Sequence, residues 1–431
     1  MSSEQIKQAI AQAIEENKDE IIRIGEQILR HPETGYREEK TSLLVRETFE
    51  ALGLSYSYPH AVTGVKATLG NKANAPNVCI IGELDAVKCA AHPHAATDGS
   101  AHACGHHAQI AAMLGAAIAL TKSGVMEQLG GNITFFAVPA EEFIELEYRT
   151  KLREMGKISY FGGKQQLIAE GAFDDIDMAM MLHAQPNAPE GKVYAAGTNL
   201  GFLAKNITLR GKAAHGSTPY EGTNALNAAA LAILGIHANR ETFLDEDKIR
   251  IHPIITKGGD VVNSVPDEVC IETYVRGATF AAIQKGNAAV ERAVHGAADM
   301  IGAKVEIDDI PGYLPLHESE GLLKVFTDCT GEVIGKDNII YGAPLTGSSD
   351  IGDLSMIMPT IQPSIGGFDG NLHASEFTVA DPEKAYLLPA KLMALTAIAL
   401  LENDAMLAKN VLNGFTPDMT KEEYMNYLKG E

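Results

Sequence analysis

The sequence is short of several residue types, and each shortage narrows the classes of protein that it can encode. Its 431 residues contain no tryptophan, only five cysteines, and 35 Lys and Arg against 56 Asp and Glu, for a formal net charge of −21. This excess of negative charge repels polyphosphates, so we expect a small ligand and no nucleic-acid partner. The cysteines are odd in number and scattered, which argues against a disulfide framework and for reduced thiols.

Long apolar runs and targeting signals are also lacking. We find no run of apolar residues long enough to span a bilayer, and residues 1–7 do not show the basic and then apolar order of a signal peptide. We therefore expect a cytoplasmic protein with no membrane partner. Because the length exceeds what one core usually supports, it predicts two domains.

One stretch, residues 100–107, concentrates potential metal ligands directly before an alanine-rich helical sequence. The candidates are His102, Cys104, His106 and His107. Gly105 lets the backbone bend until the Cys104 thiolate and the His106 imidazole face one point. The helical composition of residues 108–120 places these ligands at a helix N-terminus, where a thiolate is favoured. A lone Cys or His is usually structural, but this density predicts half of a metal site.

Polar residues follow three predicted buried strands. The strands cover residues 77–82, 131–139 and 177–182, each a short apolar run bounded by turn residues. Asp85 lies just past the first strand, Glu141 and Glu142 past the second, and His183 past the third. Sites in open α/β sheets form at the carboxyl ends of the strands. We therefore expect these four side chains to converge at one edge of the sheet.

The order of the predicted elements indicates an α/β protein with a second, smaller domain. Helices are predicted at 4–30, 40–53, 224–239, 279–301, 321–335 and 382–401, and further strands at 202–211, 249–257, 268–277, 303–310 and 355–365. We predict a catalytic domain, built from residues 1–197 and 312–431, that has a mixed, largely parallel sheet flanked by helices. An inserted α+β domain, which would serve as a lid or for dimerisation, would occupy residues 198–311.

Seven motifs carry a resemblance to a known family. They lie at residues 82–86, 102–106, 139–142, 182–183, 211–215, 258–267 and 372–373. Their types and order resemble the M20 metallopeptidase family, in the amidohydrolase branch that includes aminoacylases, hippurate hydrolases, indole-acetyl-amino-acid hydrolases and aminobenzoyl-glutamate hydrolases. The resemblance extends over essentially the whole chain.

The resemblance implies a role for each matching residue. The implied ligands of two divalent metal ions (zinc, manganese, cobalt or nickel) are Cys104, His106, Glu142, His183 and His373, with Cys104 bridging the ions. Glu141 would be the general base, and Asp85 would orient a ligand. His215 would stabilise the oxyanion, often from the other subunit of a homodimer, and Asn263 with Arg276 would hold a substrate carboxylate.

The implied activity is metal-dependent hydrolysis of a small-molecule amide, such as an N-acyl amino acid or a short peptide-like substrate, by metal-activated water. Three alternatives stay open. They are a dinuclear-metal dipeptidase or carboxypeptidase, a metal-free hydrolase that uses Cys104 with His106 or His183, and a non-catalytic binding relative. Without the resemblance, His215 would be an ordinary surface residue.

Three stretches depart from the branch. His107 replaces the acidic residue that commonly follows Cys-Gly-His. Residues 88–94 add His92 and His94, which would line the substrate pocket or form a surface metal patch. Residues 143–161 replace a short glycine-rich turn with a charged predicted helix, which is either a solvated face or a lid over the site.

Overall fold

A computed structural model describes residues 2–188, 191–342 and 347–430. The chain divides into two compact units. The first unit comprises Met1–Gly197, His317–Pro344 and Asp353–Thr420, and the second comprises Thr198–Leu316, Leu345–Gly352 and Lys421–Glu431. The predicted insert, 198–311, falls within the second unit.

The described residues form the following elements. The helices are α1 (Ser3–Glu16), α2 (Lys18–Leu29), α3 (Glu39–Ala51), α4 (His106–Lys122), α5 (Leu146–Glu154), α6 (Gly163–Ala169), α7 (Ala225–Ala238), α8 (Phe280–Ile301), α9 (Glu320–Ile334), α10 (Ile351–Ser355), α11 (Leu388–Gly414) and α12 (Lys421–Lys429). The strands are β1 (Tyr56–His60), β2 (Gly64–Leu69), β3 (Asn77–Glu83), β4 (Val87–Lys88), β5 (Ser100–Ala101), β6 (Asn132–Val138), β7 (Met178–Met180), β8 (His183–Pro186), β9 (Val193–Ala195), β10 (Gly201–Arg210), β11 (Arg250–Ile251), β12 (Ile254–Lys257), β13 (Glu268–Gly277), β14 (Lys304–Pro311), β15 (Ile339–Tyr341), β16 (Thr360–Ile361), β17 (Ser364–Asp369) and β18 (Thr378–Val379).

The main sheet of the first unit has six strands in the order β1-β2-β6-β3-β7-β16. The pairs β6–β3, β3–β7 and β7–β16 are parallel, whereas β1–β2 and β2–β6 are antiparallel. Every residue of β3 is buried, as its continuous apolar sequence predicts for a strand covered on both faces. The predicted α/β class with a mixed, largely parallel sheet is confirmed.

A second sheet of the first unit changes two of the predicted strands. It has the order β15-β9-β17-β18, and β8 also pairs with β17. The strand predicted at 177–182 ends at Met180, and His183 instead begins β8 in this second sheet. The strand predicted at 355–365 is divided between β16 and β17, because Pro363 between them has no N–H group with which to continue a ladder.

The helix predicted at 4–30 is two helices, α1 and α2, that meet at Asn17. The side-chain amide of Asn17 donates to the carbonyl of Ala13 at 2.7 Å, and its backbone (φ −115°, ψ 14°) is not helical. An asparagine that bonds locally in this way competes with the helical hydrogen bonds and ends the helix.

Helix α4 lies in the core of the first unit. Its residues from His106 to Leu120 are all buried, and it packs against α1, α2, α11 and β3. At Gly115 a Cβ atom would lie 2.8 Å from the Cβ of Ala390 in α11 and 3.1 Å from Cγ2 of Ile21 in α2. The absence of a side chain there lets α2, α4 and α11 approach one another closely.

Within the described residues, one helical stretch, Glu383–Gly414, is long and apolar enough to cross a membrane. The expectation that the chain has no apolar run long enough to span a bilayer is therefore wrong by length and composition. However, 78% of its most apolar window is buried inside the protein, and residues 402–405 have non-helical backbone dihedrals. A core helix of a soluble protein meets the same criteria, so this stretch is weak evidence for a membrane span.

The second unit is built on an antiparallel sheet in the order β11-β13-β10-β14, with β12 also paired to β13. Helices α7 and α8 pack against each other and against this sheet. Residues of β13 alternate between buried and exposed or partly exposed positions, as expected for a sheet that is covered on one face. The strand predicted at 249–257 is divided into β11 and β12.

We expect Gly115→Ala to destabilise the protein and Gly296→Ala to stabilise it. Both positions lie inside helices, where alanine is intrinsically better than glycine by about 1 kcal/mol. Apart from the nearby backbone of its own helix, no heavy atom of the described residues lies within 4 Å of a Cβ at Gly296, whereas at Gly115 the added atom would meet Ala390. Overpacking of this kind costs about 1–3 kcal/mol. Urea denaturation measures both changes, and an equal gain at the two positions would contradict the close packing.

We expect the ionisation of Glu318 to lower the stability of the protein as the pH rises. Burial raises the pKa of Glu318 to about 7, although the backbone N–H groups of Gln362 and Gly197 donate to its carboxyl group. The unfolded value is about 4.3, so the folded state holds this proton more tightly and loses stability between those two pH values. Glu318→Gln should therefore gain roughly 1–3 kcal/mol over wild type between pH 5 and pH 8 in urea denaturation. The exposed neighbour Glu320→Gln is the control, and parallel pH profiles for Glu318→Gln and wild type would refute the prediction.

Candidate metal centre

The site begins where β3 and β6 end side by side. Asp85 lies two residues beyond β3, and the backbone N–H of Glu142, beyond β6, donates to its Oδ2 at 2.9 Å. Both side chains are buried. The parallel pairing of β3 with β6 brings the two strand ends to the same edge of the sheet, as the sequence predicts.

Gly105 gives the Cys104-Gly105-His106 stretch its bend. Its φ of +90° lies in the left-handed region, and a Cβ there would come within 2.5 Å of the Cβ of Ala184. Both facts require glycine. His106 is the first residue of α4, and its Nδ1 lies 2.9 Å from the carbonyl oxygen of Asp85 and 3.3 Å from Oδ1.

Two groups of donor atoms share the sulfur of Cys104. The first group is Cys104, His106 and His183, and the second is Cys104, Glu142 and His373, with the atoms of each group within 4.8 Å of one another. The Cys104 Sγ lies 3.6 Å from Nε2 of His183 and 3.3 Å from Nε2 of His373. Nε2 of His373 also lies 3.2 Å from Oε1 of Glu142. All five predicted ligands therefore meet at one place in the first unit.

His373 reaches the site through an unusual backbone conformation. Its φ is +62°, which is uncommon for a residue with a side chain, and its N–H donates to the carbonyl of Ala103 at 2.7 Å. Strain of this kind clusters at functional sites and persists where the surrounding structure fixes it.

A third group consists of Glu83, His106 and Glu141. Nε2 of His106 lies 3.2 Å from Oε2 of Glu83 and 3.9 Å from Oε2 of Glu141. Glu83 is fully buried and pairs with the equally buried Lys164 of α6 at 2.5 Å, while the Gln109 amide donates to its other oxygen at 2.8 Å. The buried charges of Glu83 and Lys164 thus neutralise each other, and Glu83 has a further hydrogen bond.

Burial and charge perturb the titration of these groups. Burial alone would lower the pKa of His106, but the Glu83 carboxylate, and after it Cys104 and Asp85, raise it well above its ordinary value. Burial raises the pKa of the Cys104 thiol, and the Glu142 carboxylate adds to this. Burial and a nearby carboxylate both disfavour a free thiolate, whereas a bound cation would favour it.

Three predicted site residues lie in the second unit. His215 is exposed, and its Nδ1 lies 2.7 Å from the hydroxyl of Ser217. Asn263 is also exposed, and its carbonyl accepts from the N–H of Gly216 at 2.7 Å, so the His215 and Asn263 loops are neighbours. Arg276, on β13, is half-buried and donates to the hydroxyl of Ser348 at 2.8 Å, and it pairs with no acidic side chain among the residues that the structure describes.

The extra histidines differ in their surroundings. His107 is fully buried, with its ring 5.9 Å from that of Tyr386 and 5.5 Å from that of His102. It therefore belongs to the packing of α4. His92 is buried and its Nε2 lies 2.9 Å from the carbonyl of Phe377, whereas His94 is not buried. Among the described residues, neither His92 nor His94 belongs to a group of three potential metal ligands.

Sequence reasoning missed Glu83, Lys164 and Arg149. Glu83 had a signal, because it lies two residues before Asp85 in an extended chain and so faces the same side. Lys164 and Arg149 had none, since Lys and Arg are almost never fully buried unless paired, and no pattern marks the exceptions. Both belong to the stretch between β6 and β7.

Comparison with known proteins identifies the family. The model of peptidase family M20/M25/M40 matches residues 79–397. An IAA-amino acid hydrolase, ILR1-like 4, from Arabidopsis thaliana is 27% identical over 79% of this chain and 76% of its own length. An Xaa-Arg dipeptidase from Mus musculus is 27% identical over 98% of this chain and 95% of its own length.

A solved structure has the same fold. It is the crystal structure of a Bacillus subtilis protein described as a dinuclear metal binding peptidase from the M20 family, with a TM-score of 0.72 and 21% sequence identity. The alignment covers 89% of this chain and 98% of the Bacillus subtilis chain. The match of the family model to most of the chain confirms the resemblance seen in the motifs: the chain belongs to peptidase family M20/M25/M40 and is a metallo-amidohydrolase.

Proposed function

We propose that the chain is a cytoplasmic, homodimeric enzyme that holds two divalent metal ions per subunit and hydrolyses the amide bond of an N-acyl amino acid or a short peptide-like substrate. One observation carries the proposal: Cys104 belongs to two groups of three donor atoms at once. One thiolate shared by two donor groups suits a pair of ions. The dinuclear site named for the Bacillus subtilis protein supports this count.

The donor set fits such ions. Oε1 of Glu142 and Nε2 of His106 are buried and make no hydrogen bond among the described residues. Buried polar atoms normally form hydrogen bonds, so the lack of one at these two atoms fits a role as metal ligands. Sulfur, imidazole and carboxylate together suit zinc, manganese, cobalt or nickel. Asp85 holds Nδ1 of His106 and thereby directs Nε2 into the site.

Glu141 is the residue best placed to move a proton. It lies beside His106 but belongs to neither donor group that contains Cys104. Bound divalent ions lower the pKa of a coordinated water toward neutrality and polarise a carbonyl group. The Glu141 carboxylate would accept a proton from the attacking water and return it to the leaving amine.

The second unit would supply substrate contacts. Arg276 has no acidic partner among the described contacts of its guanidinium group. Burial lowers its pKa, but arginine side chains in proteins are effectively always charged. A planar, charged fork of this kind suits a carboxylate. The names of the Arabidopsis and mouse relatives both specify an amino acid, which supports a substrate with such a group. His215 would stabilise the oxyanion, Asn263 would assist Arg276, and the homodimer would bring His215 to its partner's site.

The chemistry of Cys104 favours the metal-dependent enzyme over the metal-free cysteine hydrolase. A metal-free cysteine hydrolase needs a thiolate, but burial and the Glu142 carboxylate raise the pKa of Cys104. A binding protein without catalysis would have no use for the Glu141 carboxylate beside the ligands. A dinuclear dipeptidase or carboxypeptidase shares this machinery and differs in substrate.

Removing the metal should abolish amide hydrolysis, and restoring it should recover the activity. Elemental analysis of the purified protein should find about two divalent ions per chain, and fewer in Cys104→Ala, because that variant removes a ligand from both donor groups. Cys270→Ala, in the second unit, is the matched control and should keep the metal. Full activity after treatment with a chelator that leaves no bound metal would overturn the proposal in favour of the cysteine hydrolase.

Glu141→Gln should keep the metal and lose turnover. The amide has nearly the same shape but cannot accept a proton, so kcat should fall by about 10²–10⁴ with little change in metal content. Steady-state kinetics on a panel of N-acyl amino acids and dipeptides, with elemental analysis of the same samples, tests this. Glu147→Gln, exposed on α5, is the control. A kcat for Glu141→Gln near the wild-type value would remove Glu141 from the mechanism.

A further inference from the structure

We propose that Arg149 is a positioning residue, which holds the Glu141-Glu142 turn in place by binding the main chain of Glu142 from within residues 143–161. This inference rests on the proposed function, because it concerns the same metal ligand and the same base. It assigns to residues 143–161 a role as a brace beneath the acidic pair, different from the lid or solvated face considered above.

Besides Arg149, three groups from other parts of the chain hold the backbone of the turn that carries the acidic pair, and the N–H of Ile144 also donates to the carbonyl of Glu142 at 2.9 Å. The N–H of Ala140 donates to Oε1 of the buried Glu38 at 2.9 Å, and the carbonyl of Ala140 accepts from the N–H of Gly163 at 3.1 Å. The N–H of Glu142 donates to Asp85. Ala140 itself has a φ of +56°, so the turn is strained and depends on these contacts to persist.

Arg149 provides the fourth point and closes the segment on itself. One end nitrogen of its guanidinium donates to the carbonyl of Glu142, and the other donates to the carbonyl of Phe161 at 2.7 Å. Glu142 immediately precedes the stretch 143–161, and Phe161 is its last residue. One fully buried cation therefore ties together both ends of the stretch and attaches them to the acidic pair. Hydrogen bonds from a charged donor are stronger than neutral ones.

The helix that carries Arg149 is itself fixed to the loop after α2. The Arg37 guanidinium lies 3.8 Å from the ring centroid of Tyr148, and the Tyr148 hydroxyl donates to the carbonyl of Tyr36 at 3.3 Å. At Gly35 a Cβ would lie 2.5 Å from a terminal nitrogen of Arg149 and 2.8 Å from Cα of Ala140. Gly35 thus leaves room for the guanidinium to reach the turn. These contacts make α5 a rigid support.

The arrangement makes a prediction that distinguishes the two metal positions. Glu142 belongs to the group with Cys104 and His373, whereas the group of Cys104, His106 and His183 does not include it. Loss of the hydrogen bond from Arg149 to the Glu142 carbonyl should therefore weaken the binding of one ion and leave the binding of the other unchanged. A loss of overall stability would weaken the binding of both ions.

The test is a zinc titration of the full chain after metal removal, with a chromogenic chelator as competitor. Wild type should bind in two phases, and Arg149→Met should weaken one phase by about 10–100-fold while the other stays within about twofold, as for other residues that support metal ligands. Arg149→Lys, which keeps the charge but not the forked pair of donors, should be intermediate. Arg153→Met, on the same helix but exposed, is the matched control. With zinc in excess, Arg149→Met should lower kcat more than it raises KM, because Glu141 is displaced.

Two outcomes overturn the inference while the proposed function stands. In the first, Arg149→Met binds zinc as wild type does in both phases. In the second, Arg149→Met weakens both phases equally, and its metal-free form melts at a lower temperature than that of Arg153→Met. If Arg149→Met does not fold, the outcome rests on Arg149→Lys, which must weaken one phase selectively. If wild type itself binds no zinc and is fully active without metal, the proposed function fails and the inference fails with it.

Discussion

The hydrogen bond between the Glu142 N–H and the Asp85 carboxylate is the contact on which the site depends. It joins the ends of two adjacent parallel strands, and Asp85 at the same time holds His106 at the start of α4. Asp85 therefore links a strand end, a turn and a helix N-terminus, through its carboxylate to Glu142 and through its main-chain carbonyl to His106. Because burial makes an unpaired carboxylate costly, the bond from Glu142 helps to keep Asp85 in this position.

The site gathers four acidic side chains in a water-poor place. Glu83, Asp85, Glu141 and Glu142 are all buried, and Lys164 pairs directly with the first of them. Like charges repel strongly across a low dielectric, so carboxylates at this density need cationic partners. The electrostatics of the site thus agree with the donor geometry.

The sequence predicted the local parts of this arrangement better than the long-range ones. Strands β3 and β6 are apolar runs bounded by turn residues, so their limits and the polar residues beyond them were predictable to within about a residue. His183 does follow the third predicted strand, but that it begins a strand of the second sheet was not predictable, because a change of sheet depends on which partner the next segment finds. The burial of Arg149 and Lys164 was not predictable either, since their partners, Glu142 and Glu83, are carbonyl and carboxylate groups that become neighbours only in three dimensions.

The contact between Cys104 and His373 has a consequence for the order of folding. The two residues are 269 positions apart, and most of the second unit lies between them in the sequence. Contacts of such long sequence separation form late, because the entropy of closing the loop must be met first. During synthesis the ribosome would release His373 only after residues 198–316 and 345–352 of the second unit, so a nascent chain holds an incomplete ligand set until His373 has emerged. The centre is thereby completed only in a chain that has brought its two distant segments together.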